Sequence, residues 1–274
     1  MTDFTFSLNT STIQPASLMD KIRVTAAAGY DAIELWITDV EAHLADGKRL
    51  ADVRKALDDA GLDRPSMIYL KGWWEPRAAV RRAAVDECRR RLDIAATLGV
   101  RRFVAGPPAG KMETGWVAQC YRELLEAAAH SGVWPSFEFL GFVEQYTTLE
   151  SAWDVVRLAD HPQATLTADA WHFFRGGGTT HELKAPLLDE IPNERISIVH
   201  WDDAPADIPC QQQTDGSRVM PGDGVLNLRG LADQLRRKGW QGALSLELFH
   251  EGYWNQDPRE VARVGLAKMK ASVG

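Results

Sequence analysis

Short apolar runs that suit buried strands alternate with helix-period segments along the whole chain. There are eight such pairs in 274 residues, roughly 34 residues per unit. Neighbouring parallel strands need a crossover of about a dozen residues or more, usually a helix, and strands covered on both faces read as near-continuous apolar runs. Strict strand–helix repetition therefore predicts an α/β fold, a (β/α)8 barrel, in one domain spanning residues 1–274. A doubly wound sheet is the competing arrangement, but no glycine fingerprint follows the first strand.

The strands are expected at Phe4–Asn9, Ala32–Trp36, Ser66–Leu70, Arg102–Ala105, Trp134–Phe139, Thr165–Asp169, Ile196–His200 and Ala243–Leu248. Between them, Ser17 with Asp20 three residues on opens a helix that Gly29 closes. A helix bearing Leu50, Val53 and Leu57 stops at Gly61. Pro76 suits a first helical turn, after which Val80, Ala84, Cys88, Leu92 and Ala96 keep i, i+4 spacing to Gly99. Thr114 and Thr148 are candidate caps for the next two helices. A short helix follows around Leu183–Leu188, then one bearing Leu228, Leu231 and Leu235, and a last one over Pro258–Lys270.

In a barrel of this kind the chemistry sits at the C-terminal ends of the strands. Glu138, Asp169, His200 and Glu247 each stand inside or at the end of an apolar strand-like run. A buried ionised carboxylate is costly unless it is paired, hydrogen-bonded or bound to metal. The first three residues are spaced 31 and 31 apart, and Glu247 follows His200 by 47, one unit plus a long polar loop. All four are thus expected near the tops of adjacent strands five to eight. Two Glu, one Asp and one His form an oxygen-rich donor set for one divalent ion, with Mn2+ first and Mg2+, Co2+ or Zn2+ also suited.

Substrate contacts are expected from His172, three residues past Asp169, and from Arg218 in the long loop before the last strand. Lys71, Glu144 and Trp36 lie near other strand ends and are further candidates, with Trp36 one of several tryptophans able to wall a sugar-like ring. Gly176-Gly177-Gly178 matches no phosphate-loop or dinucleotide spacing and reads as a mobile lid.

A net charge of −7 without a basic stripe argues against a nucleic-acid partner. Arg81-Arg82 and Arg89-Arg90-Arg91 fall within one amphipathic helix, where a solvated face is the ordinary reading. Three cysteines without metal-type spacing read as free thiols of a reducing compartment. With no signal-peptide pattern and no apolar run of membrane-spanning length, a cytoplasmic protein is expected.

These residues resemble the xylose isomerase-like TIM-barrel superfamily over essentially the whole chain, and most closely its inosose (2-keto-myo-inositol) isomerase branch. The resemblance is carried by Asp169-Ala170-Trp171-His172-Phe173-Phe174-Arg175-Gly176-Gly177, Val199-His200-Trp201-Asp202-Asp203, Arg218-Val219-Met220-Pro221-Gly222-Asp223-Gly224 and Leu246-Glu247-Leu248-Phe249. Ala32-Ile33-Glu34-Leu35-Trp36 adds to it at the second strand. It implies metal ligation by Glu138, Asp169, His200 and Glu247 and substrate contacts by His172 and Arg218.

The implied activity is isomerisation or epimerisation of a polyhydroxy ketone, such as an inosose or keto sugar, through a metal-stabilised enediolate. Glu138 and Glu247 would be the proton-transfer groups. A 3-dehydroshikimate or inosose dehydratase on the same metal is the alternative reading, since isomerases, epimerases and dehydratases share the motif. Lys71-Gly72-Trp73-Trp74 and Gln211-Gln212-Gln213 lie outside the pattern of the inosose branch. An AP endonuclease of the superfamily needs three zinc ions and histidines after strands three and four, where this chain has Leu70-Lys71-Gly72 and Ala105-Gly106-Pro107. A non-catalytic sugar-binding barrel is the remaining reading. Such barrels are commonly dimers, so a homodimer is a possible assembly.

Overall fold

The structure, a computed structural model, describes residues 4–177 and 186–274. Eight parallel strands close into a barrel in chain order: β1 (Thr5–Asn9), β2 (Ala32–Trp36), β3 (Ser66–Leu70), β4 (Arg102–Ala105), β5 (Trp134–Glu138), β6 (Thr165–Asp169), β7 (Ile196–His200) and β8 (Ala243–Leu246). Closure through β1 and β8 pairs Ser7 with Ser245 and Leu8 with Leu246. The fold is thus the expected (β/α)8 TIM barrel.

Helices surround the barrel and bury one stripe each. Leu18–Ala28 carries the Ser17 cap, which accepts from the Asp20 N–H, and ends at Gly29 in the left-handed region (φ 85°). Leu149–Leu158 opens with a full capping box between Thr148 and Ser151. In Ala78–Leu98, Cys88, Leu92, Ala95 and Leu98 face the barrel, while Val80, expected on that stripe, is 44% exposed.

Other local differences have physical causes. Arg77 rather than Pro76 borders that helix, and Glu113 rather than Thr114 caps the next by accepting from the Gly115 and Trp116 N–H groups. β8 stops at Leu246, so Glu247 and Leu248 continue beyond the paired ladder, where the Leu248 N–H turns to Thr12 Oγ1. Short helices at Ile37–Ala45, Ala170–Arg175 and Glu251–Trp254, absent from the sequence reading, follow directly after β2, β6 and near the end of β8. Gly178 and Leu183 lie outside the described residues; the helix expected there is described over Pro186–Glu190.

Register places the site. Asp169 pairs level with His200, His200 with Ser245, and Asn9 with Glu34. Within the barrel Ser136 Oγ lies 2.6 Å from Ser197 Oγ and accepts from Thr167 Oγ1 at 2.9 Å. Barrel interiors are usually packed with bulky branched side chains; this one carries a layer of hydroxyls. No helix among the described residues is long and apolar enough to cross a membrane.

Candidate metal centre and active site

Glu138 ends β5, Asp169 ends β6, His200 ends β7 and Glu247 stands just past β8, so one side chain from each of four consecutive strands enters the barrel mouth. Each offers a ligand atom, and these atoms all lie within 4.8 Å of one another. His200 Nδ1 is 3.0 Å from Glu138 Oε1, 3.2 Å from Glu247 Oε2 and 3.5 Å from Asp169 Oδ2. All four side chains are buried, and Glu138 Oε1, Asp169 Oδ2 and His200 Nδ1 have no hydrogen-bond partner. Buried polar atoms are rarely left so. Converging orphaned acceptors around an imidazole nitrogen fit a divalent cation, and three carboxylates with one imidazole form a donor set for such an ion.

Electrostatics point the same way. Burial alone would push the His200 imidazole down, but Glu247 and Glu34, with Asp169 and Glu138, hold it well above its ordinary value. Burial raises Glu138 and lifts Glu247 to about 7, against the pull of His200 and Arg218 on Glu247. A field this favourable to a proton on His200 is equally favourable to a metal cation, whose charge would return both glutamates to the ionised form.

Three groups that the sequence reading did not single out support the ligands. Glu34, fully buried on β2, lies 3.2 Å from His200 Nε2 and accepts from Ser245 Oγ at 2.7 Å and Asn9 Nδ2 at 2.9 Å. Asn9 also donates to Glu247 Oε1, and its Oδ1 accepts from Trp36 Nε1. Asp202 accepts from the Trp171 N–H and faces Arg218 Nη1 at 3.1 Å. Glu34 carries the same signal as Glu247, a carboxylate inside an apolar strand, and could have been found by it.

Arg218 is only 1% exposed. Its Nη1 donates to Glu247 Oε2 at 2.6 Å and lies 3.2 Å from Asp169 Oδ2, while Nη2 donates to Asp215 at 3.0 Å. Burial drives His172 down to about 3, so its ring is neutral. The Gly141 N–H points at His172 Nδ1 and Arg218 Nη2 at His172 Nε2, each at 3.1 Å, so two donors compete for the one acceptor nitrogen of the neutral ring.

Above the ligands lies a cavity of about 200 Å3, lined by Trp36, Ile68, Tyr69, Glu138, Leu140, Phe142, His172, Asp215, Arg218, Glu247 and Phe249. Trp36 and Phe249 meet edge to face at 5.6 Å, and Phe142, 43% exposed, stands at the rim against His172. Of the sequence-derived candidates, Trp36, His172 and Arg218 line this cavity. Lys71 and Glu144 do not: both are exposed, Lys71 because it leaves the top of β3 for solvent, Glu144 because its segment turns outward, its N–H bonding to Ala109 O. Gly176, read as part of a lid, is packed so that a Cβ would fall 1.9 Å from Thr147 O.

Fold and site together define a TIM barrel whose C-terminal mouth can hold a metal ion. The family model described as Xylose isomerase-like TIM barrel matches residues 22–272, and the chain belongs to that family. Curated relatives are enzymes. A 3-dehydroshikimate dehydratase of Pseudomonas aeruginosa is 29% identical over 259 residues, covering 92% of this chain but 39% of the relative. The chain therefore spans about two-fifths of that protein's length. An inosose isomerase of Bacillus velezensis is 25% identical over 270 residues, covering 96% of this chain and 94% of the relative. Among solved structures, an IOLI protein with a binding zinc atom superposes with a TM-score of 0.89 at 22% identity over 98% of both chains, which shows the shared fold.

Proposed function

We propose that the chain is a divalent-metal-dependent isomerase or epimerase that moves a proton at the carbon beside the carbonyl of a neutral polyhydroxy ketone. The charge of the cavity carries this reading. Among the described lining residues Arg218 is the one cation, and its guanidinium is already shared among Asp169, Asp202, Asp215 and Glu247. Among the described lining residues no further side-chain cation is left to pair with a substrate carboxylate, which favours a substrate that is itself uncharged. Aromatic walls at Trp36, Phe142 and Phe249 suit the C–H faces of a cyclitol or sugar.

Glu138, Asp169, His200 and Glu247 would hold the ion. When bound, a divalent metal supplies Lewis-acid polarisation of a carbonyl, without which the adjacent proton is too weakly acidic for a carboxylate base. The chain's own groups do the rest. Glu138, ending β5, and Glu247, just past β8, both line the cavity, and in this reading one takes the proton and the other returns it. His172 and Arg218 line the cavity side by side and would orient a substrate oxygen. The relatives support both the isomerase name and a second reading, in which the same proton abstraction is followed by loss of a β-hydroxyl, as in a dehydratase.

Incubation in deuterium oxide with Mn2+ and a panel of inososes, ketohexoses and 3-dehydroshikimate tests this. Deuterium should enter recovered substrate or product at one carbon, and neutral ketones should exceed dehydroshikimate by about 100-fold or more in kcat/KM. Preference for dehydroshikimate, with a UV-absorbing product, overturns the isomerase reading.

A further inference from the structure

The long loop between β7 and β8 carries Arg218 into the site, and a loop of this length needs fastening to hold a guanidinium in one place. One fastening is Gln213, part of the Gln211-Gln212-Gln213 stretch that stood outside the sequence pattern. Gln213 is 2% exposed and its amide is fully used. Oε1 accepts from Trp171 Nε1 at 2.8 Å, and Nε2 donates to Ile208 O at 2.8 Å and Pro205 O at 3.1 Å. The partner of that first bond matters. Trp171 precedes His172, is fully buried, and lies with its ring beneath the Arg218 guanidinium, whose Cζ is 4.9 Å from the ring centroid. A cation over an indole face is held by the ring's charge distribution and depends on the ring's tilt.

We propose that Gln213 is a positioning residue: by pinning the edge of the Trp171 indole it sets the surface on which Arg218 rests, and so holds Arg218 beside His172, its Nη2 3.1 Å from His172 Nε2. The amide adds a side-chain tie between the segment leaving β6 with His172 and the one leaving β7 with Arg218, which also meet where Asp202 accepts from the Trp171 N–H. Arg175, on the Trp171 helix, strengthens the seam by donating to Gln213 O at 3.1 Å and Gln211 Oε1 at 2.9 Å. A displacement of about 1 Å in a substrate-orienting group costs up to roughly 100-fold in rate. The role of Arg218 toward substrate rests on the proposed function; its seating on Trp171 does not.

The test uses the metal-loaded full chain with Gln213→Met, Trp171→Phe and their double variant. Gln213→Met removes the amide at nearly constant volume, and Trp171→Phe keeps a ring but removes the N–H. Each single change should lower kcat/KM for the ketone substrate about 10- to 100-fold, leave the Mn2+ affinity unchanged, and the two losses should not multiply in the double variant. Multiplying losses, or an altered Mn2+ affinity, overturns the proposal. Gln213→Glu keeps the acceptor for Trp171 Nε1 but loses both donors, so it supplies the test if the Met variant does not fold; it should loosen residues 205–212 to proteolysis while the indole N–H stays protected. Exchange of the Trp171 indole proton, followed by NMR, needs no turnover. It should quicken in Gln213→Met, and unchanged exchange sinks the positioning role. If the wild-type chain converts no ketone, the substrate reading fails while this exchange still decides what Gln213 does.

Discussion

Replacing Glu34 by Gln isolates a carboxylate that touches no ligand position in the cavity yet governs one. Its Oε2 takes hydrogen bonds from Ser245 and Asn9, at 2.7 and 2.9 Å, and both oxygens lie near His200 Nε2, at 3.2 and 3.4 Å. A glutamine can keep its oxygen toward Ser245 and Asn9 only by turning its NH2 toward His200. That NH2 opposes a ring proton on Nε2 and leaves one acceptor there, the oxygen in the Oε2 place, where the parent has two, so the tautomer that offers Nδ1 toward Glu138, Asp169 and Glu247 is less favoured. Removing such a partner of a metal-binding histidine lowers affinity about 10- to 100-fold, or roughly 1.4–2.7 kcal/mol.

The pH dependence follows from the same contacts. Because Glu247 and Glu34 hold the His200 imidazole well above its ordinary value once burial is overcome, a proton on the ring competes with a metal ion for it. Metal affinity should fall by about tenfold per unit of acidification for each proton displaced. In Glu34→Gln one of the carboxylates holding that proton is gone, so fewer protons are released and the loss of affinity shrinks toward acid pH. Isothermal titration with Mn2+ in two buffers of different ionisation enthalpy measures affinity and proton release together. A variant that binds within twofold of the parent and releases the same number of protons would refute the reasoning.

Glu138→Gln and Glu247→Gln should each bind Mn2+ at least about 100-fold more weakly and lose deuterium incorporation, since each removes a converging ligand atom; retained incorporation in either, followed by NMR, would show that the removed carboxylate does not move the proton. Gly106→Ala should destabilise the fold by about 1–3 kcal/mol in urea, because its Cβ would fall 1.3 Å from Tyr69 Oη, and Tyr69→Ala should recover most of that loss. Val80→Lys, at an exposed helix position, should shift stability by no more than about 0.5 kcal/mol, whereas Leu92→Ala, fully buried, should cost about 2–5 kcal/mol. Equal costs for those two would mean that the helix seats on the barrel along its first turns.

Strands were legible where the apolar run itself is the strand: β2, β3, β4, β6 and β7 begin and end where the pattern does. They were less so where pairing, not composition, ends the element, as at Glu247, which is apolar-flanked but beyond the β8 ladder. Helix spacing likewise marks the stripe able to be buried and is silent about what covers it, hence the exposure of Val80. Candidate substrate contacts chosen only for nearness to a strand end divided accordingly. Trp36, the last paired residue of β2, turns into the mouth, while Lys71 and Glu144 lie past their strands, where the loop sets a side chain's direction, and turn to solvent.

The sequence spacing brings Glu138, Asp169, His200 and Glu247 together, but not the carboxylates of Glu34 and Asp202 that stand beside them. Glu34, Glu138, Asp169, Asp202 and Glu247 are separated along the chain, and each alone could have been a satisfied polar group. Folding brings all five into one buried region with a single guanidinium, Arg218, to balance them. Burial and the neighbouring carboxylate of Asp169 push Asp202 well above the usual carboxylate range, and His200 is driven the same way by its own acidic neighbours. Those shifts express an excess of negative charge that protons or a cation must relieve. Protonation would consume the acceptor atoms that point at one another, whereas a divalent ion among Glu138, Asp169, His200 and Glu247 uses them. The charge balance that the folded chain leaves open thus adds to the sequence pattern a second, independent reason why this cluster could hold a cation.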